Sequence, residues 1–281
     1  MTTLLLGADG LLGSAIYQDL AGTSMLATSR HGLPGTIRYE INCDSNLSEI
    51  GWQNISRVIV CIAASKVAFC EKNPELTWTI NTHRPLQIVD LCCGMGIPVT
   101  VFSSEYVFDG ESEDPYIEKS ETMPKTIYGM QKAYLEKEVC NNYPKALILR
   151  ISKLASLSNK RSFLCLMKSD LSTNKTYSAA KDQVFTPICL KDAVNLINIA
   201  HFKGLTGLFN LCGQTTYTRF QLANLLKERC GVDCAIISTS MKELRLPYLA
   251  PANLSMDSSL LHSACKYSCR SIEQLLENLN A

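Results

Sequence analysis

The sequence predicts an α/β fold built on a doubly wound parallel sheet, with a smaller C-terminal lobe. Three observations predict it. The first half alternates short apolar runs with helix-like segments, the pattern of strand–helix–strand units with right-handed crossovers. One of those runs, "RVIVCIAA", is continuous and β-branched, as a strand covered on both faces should be. The first run leads straight into a glycine-rich turn, "GADGLLG", that opens a helix.

The elements follow in order. "TLLLG" is a buried strand, "GSAIYQDLAG" a helix and "SMLATSR" a second strand. After "RVIVCIAA", the segment "PELTWTINTHRPLQIVDLCCGMG" reads as one long helix that begins at a proline and ends at glycines. "PVTVFSS" is the next strand. A polar loop leads to the helix "IYGMQKAYLEKEVCNN", and "KALILRIS" is a further strand. The second half is more broken. "RSFLCLMKSDLSTN", "LKDAVNLINIAHF", "TRFQLANLLKERCG" and "SIEQLLENLN" read as helices and "GLFNLCG" as a short strand. The expected division is a dinucleotide-binding domain over 1–155, joined by about 188–213, and a mainly substrate-binding lobe over 156–281. The lobe is expected over the carboxyl edge of the sheet, where open α/β folds bind ligands.

Bulk properties narrow the function. A chain of 281 residues with 46% hydrophobic and 19% charged residues can bury a substantial core. Its formal net charge of +1 gives no sign of a nucleic-acid or membrane-surface partner. No apolar run approaches the ~20 residues that span a bilayer, and the N-terminus reads as a strand, not a signal peptide, so a cytoplasmic protein is expected. The 13 cysteines are odd in number and scattered through apolar runs. They read as free thiols serving as small apolar residues, and no metal-ligand spacing accompanies them.

The glycines at Gly7, Gly10 and Gly13 stand between strand and helix. Gly7 suits the tight turn, Gly10 the approach of a pyrophosphate, and Gly13 close packing of helix on strand. The amides of Leu11, Leu12 and Gly13 open the helix, where free N–H groups and a partial positive charge favour an anion. At the end of the second strand a dinucleotide site needs a ribose selector. The sequence offers Ser29 and Arg30 and no acid beside them, which leans to the 2′-phosphate of NADP over NAD. Small residues at Ala63, Ala64 and Ser65 would let the third strand's end lie against that cofactor. Tyr128 and Lys132 sit one helical turn apart and share a face. A phenol is too weakly acidic to exchange protons readily at pH 7, and a neighbouring ammonium is expected to lower its pKa. Ser104, at the carboxyl end of its strand, supplies a hydroxyl to polarise a carbonyl. Ser104, Tyr128 and Lys132 together suit alcohol–ketone chemistry with a nicotinamide cofactor.

These segments resemble an extended short-chain dehydrogenase/reductase, and within that superfamily the dTDP-4-dehydrorhamnose reductase family. "LLLGADGLLG" resembles the family's cofactor turn and "FSSEYVFDG" its Ser-Thr-Asp-Tyr-Val-Phe-Asp-Gly signature. "PYIEKSETMPKTIYGMQKAYLEKEV" resembles its active-site helix with the loop before it. "DQVFTPICLKDAVNLI" and "PANLSMDSSLL" resemble later family segments, so the likeness covers nearly the whole chain. It implies a Rossmann-type fold and an NADPH-dependent reductase of a nucleotide-linked 4-keto-deoxysugar, with NAD as a second cofactor option and a homodimer as one option for assembly. It implies that Tyr128 donates the proton, that Lys132 tunes it and holds the ribose, and that Ser104 contacts the substrate oxygen. Glu105, in place of the usual aspartate, would face the sugar. Asn81 would be a structural asparagine, and Asn42 and Cys43 would lie beside the adenine. The sugar end departs from the family. Lys153 replaces a tryptophan that lies against the sugar ring, Ala250 replaces an arginine before proline, and "VCIAAS" lacks an asparagine. A reductase or epimerase of another nucleotide sugar and a non-catalytic NADP-binding regulatory subunit, of the methionine adenosyltransferase beta type, are the alternatives.

Overall fold

The computed structural model describes residues 2–41 and 50–277. The first half contains β1 (Thr2–Leu6), α1 (Leu11–Asp19), β2 (Met25–Ser29), β3 (Ile37–Arg38), β4 (Ile55–Val60), α2 (Val67–Lys72), α3 (Pro74–Trp78), α4 (Arg84–Gly94), β5 (Val99–Ser104), α5 (Ile127–Asn142) and β6 (Leu147–Ile151). Then come β7 (Leu154–Ala155), α6 (Phe163–Thr173), β8 (Thr176–Ala180), β9 (Val184–Phe185), β10 (Ile188–Cys189), α7 (Leu190–Phe202), β11 (Gly207–Leu211), β12 (Tyr217–Thr218), α8 (Arg219–Cys230), β13 (Ala235–Thr239), β14 (Asn253–Leu254), α9 (Ser259–Cys265) and α10 (Ile272–Glu277).

Seven strands form one sheet in the order β11-β6-β5-β4-β1-β2-β3, and every pairing in it is parallel. The chain winds one way from β1 through β3 and the other way from β4, so the order reverses between β1 and β4. Such a switch point opens a crevice at the carboxyl ends of the strands. The alternation of side chains decides which helices cover which face. Leu5, Ile59 and Leu149 point to α1 and α7, where they meet Ile16, Val194 and Ile197. Leu4, Val58, Val101 and Ile148 point the other way, onto Ile88 and Val89 of α4 and Leu135 and Val139 of α5. Each such side chain contributes roughly 1.5–3 kcal/mol on full burial. A separate cluster, with Leu164, Met167, Phe185, Leu222 and Leu226, forms the interior of the later lobe.

The long helix expected from Pro74 is three pieces. Between α3 and α4 lies a π-helical turn, Thr79–His83, and it turns Asn81 fully inward. Single π turns inside helices often accompany functional sites. The short helix α2 was not expected, because six residues carry too little periodicity. The two-residue strands β7, β9, β10, β12 and β14 carry none at all.

Candidate active site

Strand register brings the candidate residues to one edge. Leu6 pairs with Val60 and with Thr28, so Gly7, Ser29 and Cys61 leave their strands side by side. Ser104 pairs with Ile151, so Glu105 and Ser152 follow next to one another.

At the glycine-rich turn, the three glycines do different things. Gly7 has φ +94° and a Cβ there would lie 2.9 Å from Ile62, so neither the backbone nor the space admits a side chain. A Cβ on Gly13 would lie 2.0 Å from the Gly7 carbonyl oxygen, which makes Gly13 the contact that seats α1 on the turn. A Cβ on Gly10 would meet its nearest protein atoms at 3.6 and 3.9 Å, so the fold itself does not demand glycine there. Gly10 is the N-cap of α1, and neither a capping side chain nor an acid occupies the first turn. Leu12 is a core side chain packed with Ile16, and Leu11 is partly buried beside it, so both offer only backbone to a ligand.

Two readings at the end of β2 need correction. Ser29 is buried, its hydroxyl shared with Thr36 at 2.7 Å and accepting the Leu33 N–H at 2.8 Å, so it builds its own turn. An acid is also present: Asp9, from the glycine-rich turn, accepts the Arg30 N–H at 3.1 Å. Asp9 stands 21 positions before Arg30, and only the fold brings the two together. The Arg30 side chain is exposed, with Nε 3.3 Å from the His31 ring. Asn42 and Cys43 lie outside the described residues.

Ala63 and Ser65 are exposed after β4, and Ala64 between them is pinned by Asn81. The Asn81 carbonyl oxygen accepts the Ala64 N–H at 2.8 Å, and its amide donates to the Ala64 carbonyl at 3.1 Å and to Gln131 at 2.7 Å. Asn81 thus ties the end of β4 to α5. Cys70 adds a contact from its thiol to the Ala64 carbonyl at 3.1 Å.

Thr126 caps α5, its hydroxyl accepting the Gly129 N–H at 3.0 Å, and Glu71 accepts the Ile127 N–H at 2.8 Å. A Cβ on Gly129 would lie 2.1 Å from the Tyr106 carbonyl oxygen. Glycine there lets α5 press onto the one-turn helix Glu105–Val107, which begins at Ser104. The hydroxyl of Ser104 accepts the Tyr106 N–H at 3.3 Å. Tyr128 is buried, its ring edge-on to Tyr106 at 6.0 Å. Lys132 is buried as well and donates to the Phe102 carbonyl at 2.9 Å. Its Nζ is 6.0 Å from the centre of the Tyr128 ring.

The expected electrostatics are reversed in one respect. Burial holds the Tyr128 phenol above the usual tyrosine range, against the pull of the Ser104 hydroxyl. Charges act more weakly on it: Cys70 and Glu105 raise it, and the cation that lowers it is Lys153. Lys132 is itself pushed down to about 8 by burial, opposed by Glu136 and by Cys70.

On the sugar side, Glu105, expected to face the sugar, is buried. One carboxylate oxygen pairs with Lys153 Nζ at 2.9 Å and the other accepts the Ser152 hydroxyl at 2.6 Å. Lys153 lies 4.7 Å over the Tyr106 ring, and the pair with Glu105 raises its pKa despite burial. Ala250 is partly buried. The "DG" of the signature has a structural basis. A Cβ on Gly110 would lie 2.5 Å from Pro251, and the Tyr116 hydroxyl donates to Asp109 at 2.5 Å while accepting the Gly110 N–H at 3.0 Å.

The site thus gathers, on one sheet edge, an open glycine-rich turn, a serine hydroxyl and a Tyr–Lys pair on a buried helix face. Residues 1–280 match the family described as the RmlD substrate binding domain, and the chain belongs to that family. It is 28% identical over 293 residues to the probable low-salt glycan biosynthesis reductase Agl14 of Haloferax volcanii, covering 100% of this chain and 98% of that one. It is 25% identical over 234 residues to the dTDP-4-dehydrorhamnose reductase of Mycobacterium tuberculosis, covering 81% and 75%. It is 26% identical over 235 residues to methionine adenosyltransferase 2 subunit beta of Xenopus laevis, covering 78% and 69%. In fold it is similar to the Bacillus anthracis dTDP-4-dehydrorhamnose reductase solved in complex with NADP, with a TM-score of 0.87 at 22% identity over 99% and 97% of the two chains. Among the described residues no helix is long and apolar enough to cross a membrane.

Proposed function

We propose that the protein is an NADPH-dependent oxidoreductase that reduces the 4-keto group of a nucleotide-linked deoxysugar, with Tyr128 as proton donor. The observation that carries this reading is the convergence of Ser104, Tyr128 and Lys132 at the sheet edge that also bears the Gly7–Gly13 turn. The names of the sugar-nucleotide reductases among its relatives support the substrate class.

The residues fit a dinucleotide. Gly10 leaves open space where the fold alone would accept a side chain, the start of α1 has no side-chain cap, and the exposed Arg30 would turn to a 2′-phosphate. The amides of Leu11, Leu12 and Gly13 would hold the diphosphate. Ala63, Ala64 and Ser65 would lie along the cofactor, positioned by Asn81, and Lys132 would reach the nicotinamide ribose. When bound, NADPH supplies a hydride to the carbonyl carbon. Ser104 donates a hydrogen bond to the carbonyl oxygen and holds it beside the phenol. Tyr128 gives its proton to that oxygen as the C–H bond forms, which leaves the alcohol and a phenolate. Water then returns a proton to Tyr128. The phenol is protonated at neutral pH in any case, and burial, which raises the Tyr128 pKa further, favours that donor form. Lys153, the half-buried member of the pair with Glu105, would form the wall nearest the sugar.

A second reading, a cofactor-binding regulatory subunit, has the likeness to methionine adenosyltransferase 2 subunit beta in its favour. Steady-state oxidation of NADPH with a panel of nucleotide-linked keto sugars separates the two. Turnover on one member supports the reductase, and none on any member supports the subunit.

A further inference from the structure

Two cations flank Tyr128, and they are committed differently. Lys132 approaches along the same helix and donates to the Phe102 carbonyl at 2.9 Å. Lys153 approaches from the end of β6. Its ammonium sits 4.7 Å over the Tyr106 ring, and the Tyr106 ring meets Tyr128 edge-on at 70° and 6.0 Å. Glu105 fixes it at 2.9 Å, and Ser152 fixes Glu105 at 2.6 Å. The pairing of Ser104 with Ile151 is what allows this, because Glu105 and Lys153 leave neighbouring strand ends together.

The groups facing Tyr128 from the elements around it are the Ser104 hydroxyl, the Cys70 thiol, Glu105 and Lys153, with Lys132 on its own helix. Those facing Lys153 are Glu105, Tyr106, Arg219 and, through Tyr106, Tyr248. Glu105 alone would oppose ionisation of the phenol, and Lys153 both cancels that charge and exceeds its effect in the favourable direction. Stability gives little reason to bury the Glu105 carboxylate against a half-buried lysine, since apolar residues of similar volume are often as stable. Beside the buried Tyr106 and Tyr128 rings, however, a fixed charge acts on its neighbour more strongly than it would in water.

We propose that Lys153 is a positioning residue for proton transfer: an ammonium held by Glu105 beside the Tyr106–Tyr128 ring pair, which stabilises the phenolate that Tyr128 becomes when it gives its proton to the substrate oxygen. The inference rests on Tyr128 being the proton donor. Reduction moves the hydride from NADPH to the carbonyl carbon and the proton from Tyr128 to the oxygen. Lys153 exchanges no atoms, and its charge offsets the negative charge left on the phenol.

The test measures turnover against pH in both directions, with a dTDP-linked 4-keto-6-deoxyhexose and NADPH, and with the corresponding alcohol and NADP. Alcohol oxidation needs the phenolate, so its rate rises with pH. Lys153→Met should move that rising limb to higher pH and lower the rate on the limb about tenfold for each unit of displacement, with the KM for cofactor within about twofold of wild type. Lys153→Gln, which retains a donor toward Glu105 and so guards the fold, should move the limb the same way. Lys153→Arg should return it. A limb unmoved in both neutral variants of a wild type that turns over overturns this inference and leaves the reductase reading standing. Failure of Lys153→Arg to restore the limb also overturns it. A wild type with no turnover in either direction on any member of the nucleotide-sugar panel overturns both.

Discussion

Asn81 grips Ala64 from both sides of its peptide, accepting the Ala64 N–H at 2.8 Å and donating to the Ala64 carbonyl at 3.1 Å. It does so from a π-helical turn, with its amide also bonded to Gln131 of α5. One buried side chain therefore sets the distance between the proposed cofactor-lining segment and the proposed catalytic helix. Asn81→Ala leaves the Ala64 N–H without its partner and the Ala64 carbonyl with the Cys70 thiol alone, at a total cost of about 1–3 kcal/mol. Chemical denaturation should show a loss in that range. Calorimetry should show weaker NADPH binding, because Ala64 is no longer held.

The glycines of the turn separate folding from binding. Gly13→Ala would place a Cβ 2.0 Å from the Gly7 carbonyl oxygen and should destabilise the fold by several kcal/mol (~3 or more), through displacement of α1. Gly10→Ala meets nothing closer than 3.6 Å and should cost only the poorer helix cap, about 1 kcal/mol or less. Its NADPH affinity should nonetheless fall at least about tenfold if the diphosphate packs against Gly10. Thermal melts paired with cofactor titrations check both halves.

Arg30 remains the proposed NADP selector, now with Asp9 accepting its backbone N–H. Arg30→Ala should weaken NADPH by roughly 1–3 kcal/mol and leave NADH nearly unchanged. Asp9→Asn should shift the preference further toward NADPH, since a carboxylate repels a 2′-phosphate. Equal binding of both cofactors to the wild type would contradict the assignment of Arg30.

Lys132 gives the stability a pH signature. Its folded pKa of about 8 lies below the value near 10.5 of an exposed lysine. The folded state therefore binds fewer protons than the unfolded state between those values, and the penalty of burying the charge is relieved as pH rises through that window. At pH 7 the penalty is present in full, on the order of 3 kcal/mol. Lys132→Met should accordingly be more stable than wild type at pH 7, with the gain shrinking toward pH 10, while turnover is lost. The buried thiols act oppositely. Burial raises Cys92 and Cys212 to about 12, so the stability they contribute is present below pH 9 and lost above it. The Lys132 effect is thus read as the difference between variant and wild type, not from either curve alone.

Much of the fold was legible in the sequence because the strands buried on both faces are continuous apolar runs and the helices between them are periodic. The helix Ile127–Asn142 has the bounds the pattern predicts, with Thr126 as its cap. What escaped was set by tertiary contact. The π turn at Asn81 has no local signal, and neither have β9 and β14, which form through pairing with each other. At the site, residue types were legible and their partners were not. Glu105 and Lys153 stand 48 positions apart, and only the β5–β6 register turns a carboxylate expected to face the sugar into a buried ion partner. Asp9 beside Arg30, Glu71 at the start of α5 and the close approach at Gly129 were missed for the same reason. Gly129 alone carries a local signal, a glycine inside the Tyr-x-x-x-Lys turn of a helix.

The most direct test is the steady-state reduction of a dTDP-linked 4-keto-6-deoxyhexose by NADPH, comparing wild type with Tyr128→Phe. The ring and its packing are retained in the variant and only the exchangeable proton is gone. The account predicts turnover by the wild type and a loss of about a hundredfold to ten-thousandfold in kcat for Tyr128→Phe, with NADPH affinity and thermal stability nearly unchanged. Full reductase activity in Tyr128→Phe would contradict it.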